Sequence, residues 1–160
     1  MHIRECMTTN AKACVPEQSC ATAGVIMRRR HCGFLPIVKS QKTKQVIGVL
    51  TDRDIMLHLV RLNRPASRVS VKVCMTDAPT TISSEADLED AVRVMKGTAL
   101  RRLPVVDRGK LVGVLSLQDI ALAARRQWAY VGPHINEQHV TEILEAIAVA
   151  RETHQRNSWH

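Results

Sequence analysis

The chain has 160 residues, 45% apolar and 24% charged, which excludes a disordered polypeptide. No apolar run approaches the twenty residues of a membrane span. The formal charge of +8 favours anionic partners such as phosphorylated small molecules or nucleic acid. Four aromatic residues (Phe34, Trp128, Tyr130, Trp159) are too few for a single-strand stacking platform, while binding to duplex backbone needs only charge. The five cysteines include no C-x-x-C pair, so free thiols in a reducing compartment are expected. His2 and Cys6 have no second pair to complete a zinc site. The start Met1-His2-Ile3-Arg4-Glu5 lacks the apolar core of a secretory signal, so a cytoplasmic location is expected.

In chain order the elements come twice. Cys6-Met7-Thr8 returns as Cys74-Met75-Thr76 at an offset of 68, as does Leu35-Pro36-Ile37-Val38 in Leu103-Pro104-Val105-Val106. At an offset of 65, Gly48-Val49-Leu50-Thr51 becomes Gly113-Val114-Leu115-Ser116, and Asp54-Ile55 becomes Asp119-Ile120. Each copy opens on a Met-Thr turn and a short β segment (Cys14-Val15; Thr81-Ile82). A cap, Ser19 or Ser84, then precedes an amphipathic helix. Its apolar stripe is Cys20, Ala23, Gly24 and Met27 in the first copy and Leu88, Ala91, Val92 and Met95 in the second. Strands 35–39 with 46–50, and 103–106 with 111–115, read as hairpins. Thr51 and Ser116 open a second helix with Ile55 and Leu59, or Ile120 and Ala124, turned inward. The fold class is α/β (α+β): two β-α-β-β-α repeats at 3–62 and 73–127, a linker at 63–72, and a tail at 128–160. In the tail Val131-Gly132-Pro133 breaks the chain and Asn136 caps a helix at about 136–153, with Val140, Ile143, Leu144, Ile147 and Ala148 as its stripe. That helix packs either on its own domain or across an oligomer interface.

The chemistry concentrates in Gly-Val-Leu-Thr-Asp-Arg-Asp (48–54) and its echo Gly-Val-Leu-Ser-Leu-Gln-Asp (113–119). A hydroxyl followed three residues later by an acid is close to a capping box, which needs no ligand. The same residues suit a nucleoside phosphate. A helix N-terminus attracts an anion, the hydroxyl donates to phosphate, and the carboxylate accepts from a ribose diol.

These motifs, each present twice and in order over about residues 3–127, make the chain resemble a tandem pair of CBS domains, or Bateman module. The resemblance implies that the repeats pack about a pseudo-twofold axis and leave two clefts for adenosine-containing ligands: AMP, ADP, ATP, S-adenosylmethionine or a cyclic dinucleotide such as cyclic di-AMP. It places Thr51 and Ser116 at phosphate or ribose, Asp54 and Asp119 at the ribose hydroxyls, and Val15, Ile37, Ile82 and Val105 beside the base. Arg101-Arg102 resembles the basic pair that grips phosphate in the regulatory subunit of AMP-activated protein kinase, or is a solvated turn. The first copy has Gly33-Phe34 there.

Arg28-Arg29-Arg30 reads as a solvated helix face. No G-x-S-x-G, H-E-x-x-H or phosphate-loop motif is present, and neither His31 nor His58 has a partner at a catalytic spacing. The expectation is a non-enzymatic, stand-alone regulatory module, homodimeric, without required cofactor, metal or membrane, acting on a separate regulated protein. Its alternative is a basic nucleic-acid-binding protein on the same scaffold.

Overall fold

The computed structural model describes residues 1–128 and 137–157. In chain order it contains β1 (Thr8–Thr9), α1 (Cys20–Arg30), β2 (Phe34–Val38), β3 (Val46–Thr51), α2 (Asp52–Leu62), α3 (Val71–Cys74), β4 (Thr76–Asp77), β5 (Ile82–Ser83), α4 (Leu88–Thr98), β6 (Arg102–Asp107), β7 (Lys110–Ser116), α5 (Leu117–Trp128) and α6 (Glu137–Asn157). The fold is mixed α/β with two sheets, ordered β2-β3-β4 and β1-β7-β6-β5. The chain forms two compact units, neither a contiguous half: residues 10–81 with 106–112, and residues 1–9 and 82–105 with 113 onward.

This division follows from what the Met-Thr turns pair with. Met75-Thr76 heads the second copy in sequence, yet β4 pairs antiparallel with β3, and β1 pairs with β7. A glycine admits each strand. A Cβ on Gly48 would stand 3.0 Å from the Thr76 carbonyl oxygen and 3.2 Å from the Met75 sulfur. A Cβ on Gly113 would stand 2.7 Å from the Thr8 oxygen and 2.8 Å from the Met7 sulfur. The glycine of Gly-Val-Leu and the methionine of Met-Thr are therefore two halves of one close backbone approach.

In the first unit Cys20, Ala23 and Met27 of α1 pack with Leu35, Ile37 and Leu50 of the hairpin. Gly24, expected on that stripe, is exposed, and Ile26 packs against the core instead. The stretch read as a linker, 63–72, is folded into this unit. Val69 and Val71 are buried, the Cys20 N–H donates to the Val69 carbonyl at 2.8 Å, and the Val71 N–H donates to that of Gln18 at 2.8 Å. α2 lies shallow: Ile55 and Leu59 are only half-buried, and Met56, Leu57 and Val60 are exposed.

The second unit is deeper. Leu88, Ala91, Val92 and Met95 are all buried, as are Ile120 and Ala124. Its first helix begins later than Ser84 suggested: Asp87 is the N-cap, with the Asp90 carboxylate accepting its N–H at 3.4 Å. Ser84 is instead buried, its carbonyl accepting the Arg4 N–H at 3.1 Å. The tail helix α6 packs on α4 and α5 through Ile143 and Ile147. The Lys96 Nζ donates to Glu142 at 2.8 Å, which holds the Glu142 carboxyl below its ordinary range. Val140 is half-buried, but Leu144 and Ala148, expected inside, are exposed. The breaker 131–133 and the cap Asn136 lie outside the described residues. Among the described residues no helix is long and apolar enough to cross a membrane.

Candidate functional site

The two hydroxyl-acid turns fold alike. Asp54 Oδ2 accepts from the Thr51 N–H at 2.9 Å and the Thr51 hydroxyl at 2.6 Å, while the Asp54 N–H donates back to that hydroxyl at 3.1 Å. Asp119 Oδ2 accepts from the Ser116 N–H at 2.7 Å and its hydroxyl at 2.6 Å, and the Asp119 N–H returns a bond at 3.2 Å. Each is a full capping box. The hydroxyl proton is already committed to the acid, so a phosphate would have to take it and a ribose hydroxyl would have to replace it on the carboxylate.

Around these boxes the repeats diverge. In the second unit Arg101, Arg102, Ser116, Leu117, Gln118 and Ala121 line a depression of about 300 Å³ at the N-terminus of α5. The Arg101 carbonyl accepts the Leu117 N–H at 2.9 Å, which fixes the arginine pair beside the helix start. Both arginines are exposed, and the dipole of α5 adds positive potential at its N-terminus. In the first unit the Gly33 carbonyl accepts the Asp52 N–H at 3.3 Å, the same latch. What fills the mouth there is an acid. A Cβ on Gly33 would lie 2.4 Å from Asp52 Oδ2, so the missing side chain makes room for a carboxylate.

Asp119 faces elsewhere. With Met1, Glu5, Cys6, Leu122 and Ala123 it lines a separate depression of about 110 Å³. Burial pushes the Cys6 thiol up to about 11, with the charges of Asp119 and then Glu5 adding to the effect. Ser116 and Asp119, joined by one box, thus border different hollows. The four residues expected beside a base are mostly covered: Ile37 and Val105 are fully buried, Ile82 nearly so, and Val15 half-buried with its N–H on Gln18. His58 Nδ1 lies 2.9 Å from the Asp54 carbonyl of its own helix, and His31 is an exposed helix C-cap. Among the described residues no group of three or more His, Cys, Asp or Glu side chains could hold a metal.

The sequence reading did not single out Leu117, Gln118 and Ala121, nor Asp52, nor Glu5 of the second hollow, and it weighed Cys6 only as a zinc ligand with His2. For Asp52 a signal existed. It stands where Leu117 stands in the other copy, a charge change inside an otherwise repeated motif.

The family description CBS domain matches this chain twice, over residues 3–61 and 69–126. YlbB of Bacillus subtilis is 28% identical over 121 residues, spanning 76% of this chain and 80% of that protein. The CBS domain-containing protein YhcV of the same species is 32% identical over 120 residues, 75% of this chain and 83% of that protein. Among solved structures, the CBS-pair protein CBSX2 of Arabidopsis thaliana matches with a TM-score of 0.70 and 26% identity, over 81% of this chain and 98% of that one. A CBSX2 structure in complex with AMP matches with a TM-score of 0.66 and 28% identity, over 78% of this chain and 96% of that one.

Proposed function

The chain belongs to the CBS-domain family, and we propose that it is a stand-alone regulatory module that binds an adenosine nucleotide and passes the signal to another protein. One observation carries this reading: Arg101 and Arg102 meet Ser116 and the start of α5 around a single depression. Guanidinium groups and helix N–H donors together suit a phosphate and offer little to an uncharged ligand. Asp119, and Asp54 in the first repeat, would accept from ribose hydroxyls. Base contacts from Val15, Ile37, Ile82 and Val105 would require these largely covered side chains to open. The AMP held by CBSX2 supports AMP, ADP or ATP as the ligand class, with S-adenosylmethionine and cyclic di-AMP as further members to test.

The reading includes no chemical turnover. Relatives such as YhcV are little longer than the repeat pair, so the output would be contact with a regulated partner or a change in self-assembly. Exposed Met56, Leu57 and Val60 on α2 support a homodimer, and five free cysteines support the cytoplasm. A thermal-shift panel of the five ligands tests the reading. A binder present at a hundred times its dissociation constant adds about 2.7 kcal/mol to the folded state. No shift at millimolar ligand, together with a salt-dependent gel shift on duplex DNA, would replace nucleotide sensing with nucleic-acid binding.

A further inference from the structure

Cys14, Cys20 and Cys74 are buried in the first unit, and the nucleotide reading uses none of them. Cys20 and Cys74 lie 54 residues apart in sequence, yet their sulfurs are 3.5 Å apart. The backbone holds them there. Besides the bond from Cys20 to Val69, the Lys72 N–H donates to the Pro16 carbonyl at 3.0 Å, and the Cys20 thiol points at the Ser70 carbonyl at 3.7 Å. Bonding distance for two sulfurs is about 2.05 Å, so about 1.5 Å of approach separates the pair from a bond.

The duplication provides an internal control. Cys6 is the counterpart of Cys74, but the first residue of α4, matching Cys20 at the start of α1, is Leu88. Leu88 is fully buried, so this place in the fold accepts a leucine and packing alone does not call for sulfur. Only the first unit sets thiol against thiol.

We propose that Cys20 and Cys74 form a reversible disulfide, a redox staple that ties the start of α1 to α3. The oxidant is a small-molecule disulfide such as glutathione disulfide. One cysteine thiolate attacks it and expels a first thiolate. The second cysteine then attacks the mixed disulfide and expels the other. Two electrons pass to the oxidant, and the two cysteine protons end on the released thiols. Burial, followed by the hydrogen bond to Cys74, pushes the Cys20 thiol up to about 12, so Cys20 stays protonated at neutral pH while the segment is closed. Oxidation therefore proceeds through local opening of the segment before β4, and it is slow. Once formed, the bond closes a loop around most of the first repeat and removes chain entropy from the unfolded state.

The full chain is incubated with glutathione disulfide, alkylated, and digested without reductant. The expected result is a Cys20–Cys74 linked peptide, an intact mass lower by two hydrogens, and a melting temperature higher by roughly 10 °C that dithiothreitol reverses. Cys20→Ser, or Cys20→Ala if the serine variant does not fold, should show neither the peptide nor the shift. Glutathione adducts alone, pairing of either residue with Cys14 or Cys32, or a linked form that melts no higher would overturn the staple. The peptide map of the wild-type chain decides the pairing even if no variant folds.

Discussion

At the start of α2 a carboxylate leans over a glycine; at the start of α5 two arginines stand beside a leucine. The latch is the same in both, a helix N–H bonded to the carbonyl at position 33 or 101, and so is the capping box. The side chains around them differ: Gly33, Phe34, Asp52 and Arg53 against Arg101, Arg102, Leu117 and Gln118. The second copy has two cations there, and the first sets one acid beside one cation on the same scaffold. The duplicated scaffold thus supplies the helix dipole and the box twice, whereas the phosphate recognition proposed above would depend on Arg101 and Arg102, which the first copy lacks. The repeats differ again in depth, with Ile120 fully buried on α5 and its counterpart Ile55 half-buried on α2.

The difference in depth predicts the largest effect. Ile120→Ala should cost about 2–5 kcal/mol in urea unfolding, the range for truncating a buried aliphatic side chain, and Ile55→Ala clearly less. Equal losses would mean that the shallow packing of α2 is not what the protein has in solution. Next comes alkali. Burial pushes the Cys14 thiol up to about 11 and the Cys20 thiol up to about 12 from 9.0, so the folded first unit holds these protons more tightly than the unfolded chain does. Their contribution is intact below pH 9 and is lost as pH rises through 9 toward 11 and above. For Cys14 alone it amounts to roughly 3 kcal/mol. Unfolding midpoints compared at neutral and strongly alkaline pH should fall steeply for wild type and less for Cys14→Ala; parallel slopes would refute the assignment.

Arg102→Ala breaks the comparison at the mouth itself. Loss of a hydrogen bond to a charged group should weaken AMP by about 1.5–3 kcal/mol and leave adenosine nearly unchanged. Calorimetry on both ligands checks it, and equal losses would make Arg102 a solvated turn residue. Smaller still are the caps. Ser116→Ala and Thr51→Ala should each cost about 1 kcal/mol of stability. Ser116→Ala should also weaken AMP, because Ser116 shares a depression with Arg101 and Arg102.

Much of this was legible in the sequence, for physical reasons. Repeated Gly-Val-Leu-[Thr/Ser]-x-x-Asp fixes a strand, a cap and a helix start through local bonds alone, so both boxes fold where the spacing put them. The amphipathic stripe of α4 was legible because four residues at helical spacing are all apolar, whereas α1 mixes Cys, Ala and Gly, and Gly24 faces solvent. Strand exchange was not legible. Whether Met75-Thr76 adds to the hairpin before it or after it depends on a long-range approach to Gly48, which no local pattern records. The separation of Ser116 from Asp119 into two hollows is likewise a property of the helix surface and not of sequence spacing.

The smallest effect sharpens the comparison most. Asp52 occupies the first turn of α2, where a negative charge favours the helix by a few tenths of a kcal/mol up to about 1. The same charge sits where a phosphate would approach the first repeat. Asp52→Asn should therefore act with opposite signs, lowering stability slightly while raising whatever affinity the first repeat has for phosphate. Such a gain would be hidden beneath the stronger second site, so the measurement belongs in the Arg102→Ala background. There, AMP should bind Asp52→Asn more tightly than it binds Arg102→Ala alone, and the difference should shrink as salt rises, since an exposed charge is screened over about 8–10 Å. Adenosine should not distinguish the two proteins. If AMP does not distinguish them either, the carboxylate over Gly33 is only a helix-stabilising charge, and the first repeat lacks phosphate affinity because Gly33 and Phe34 stand where the second has Arg101 and Arg102.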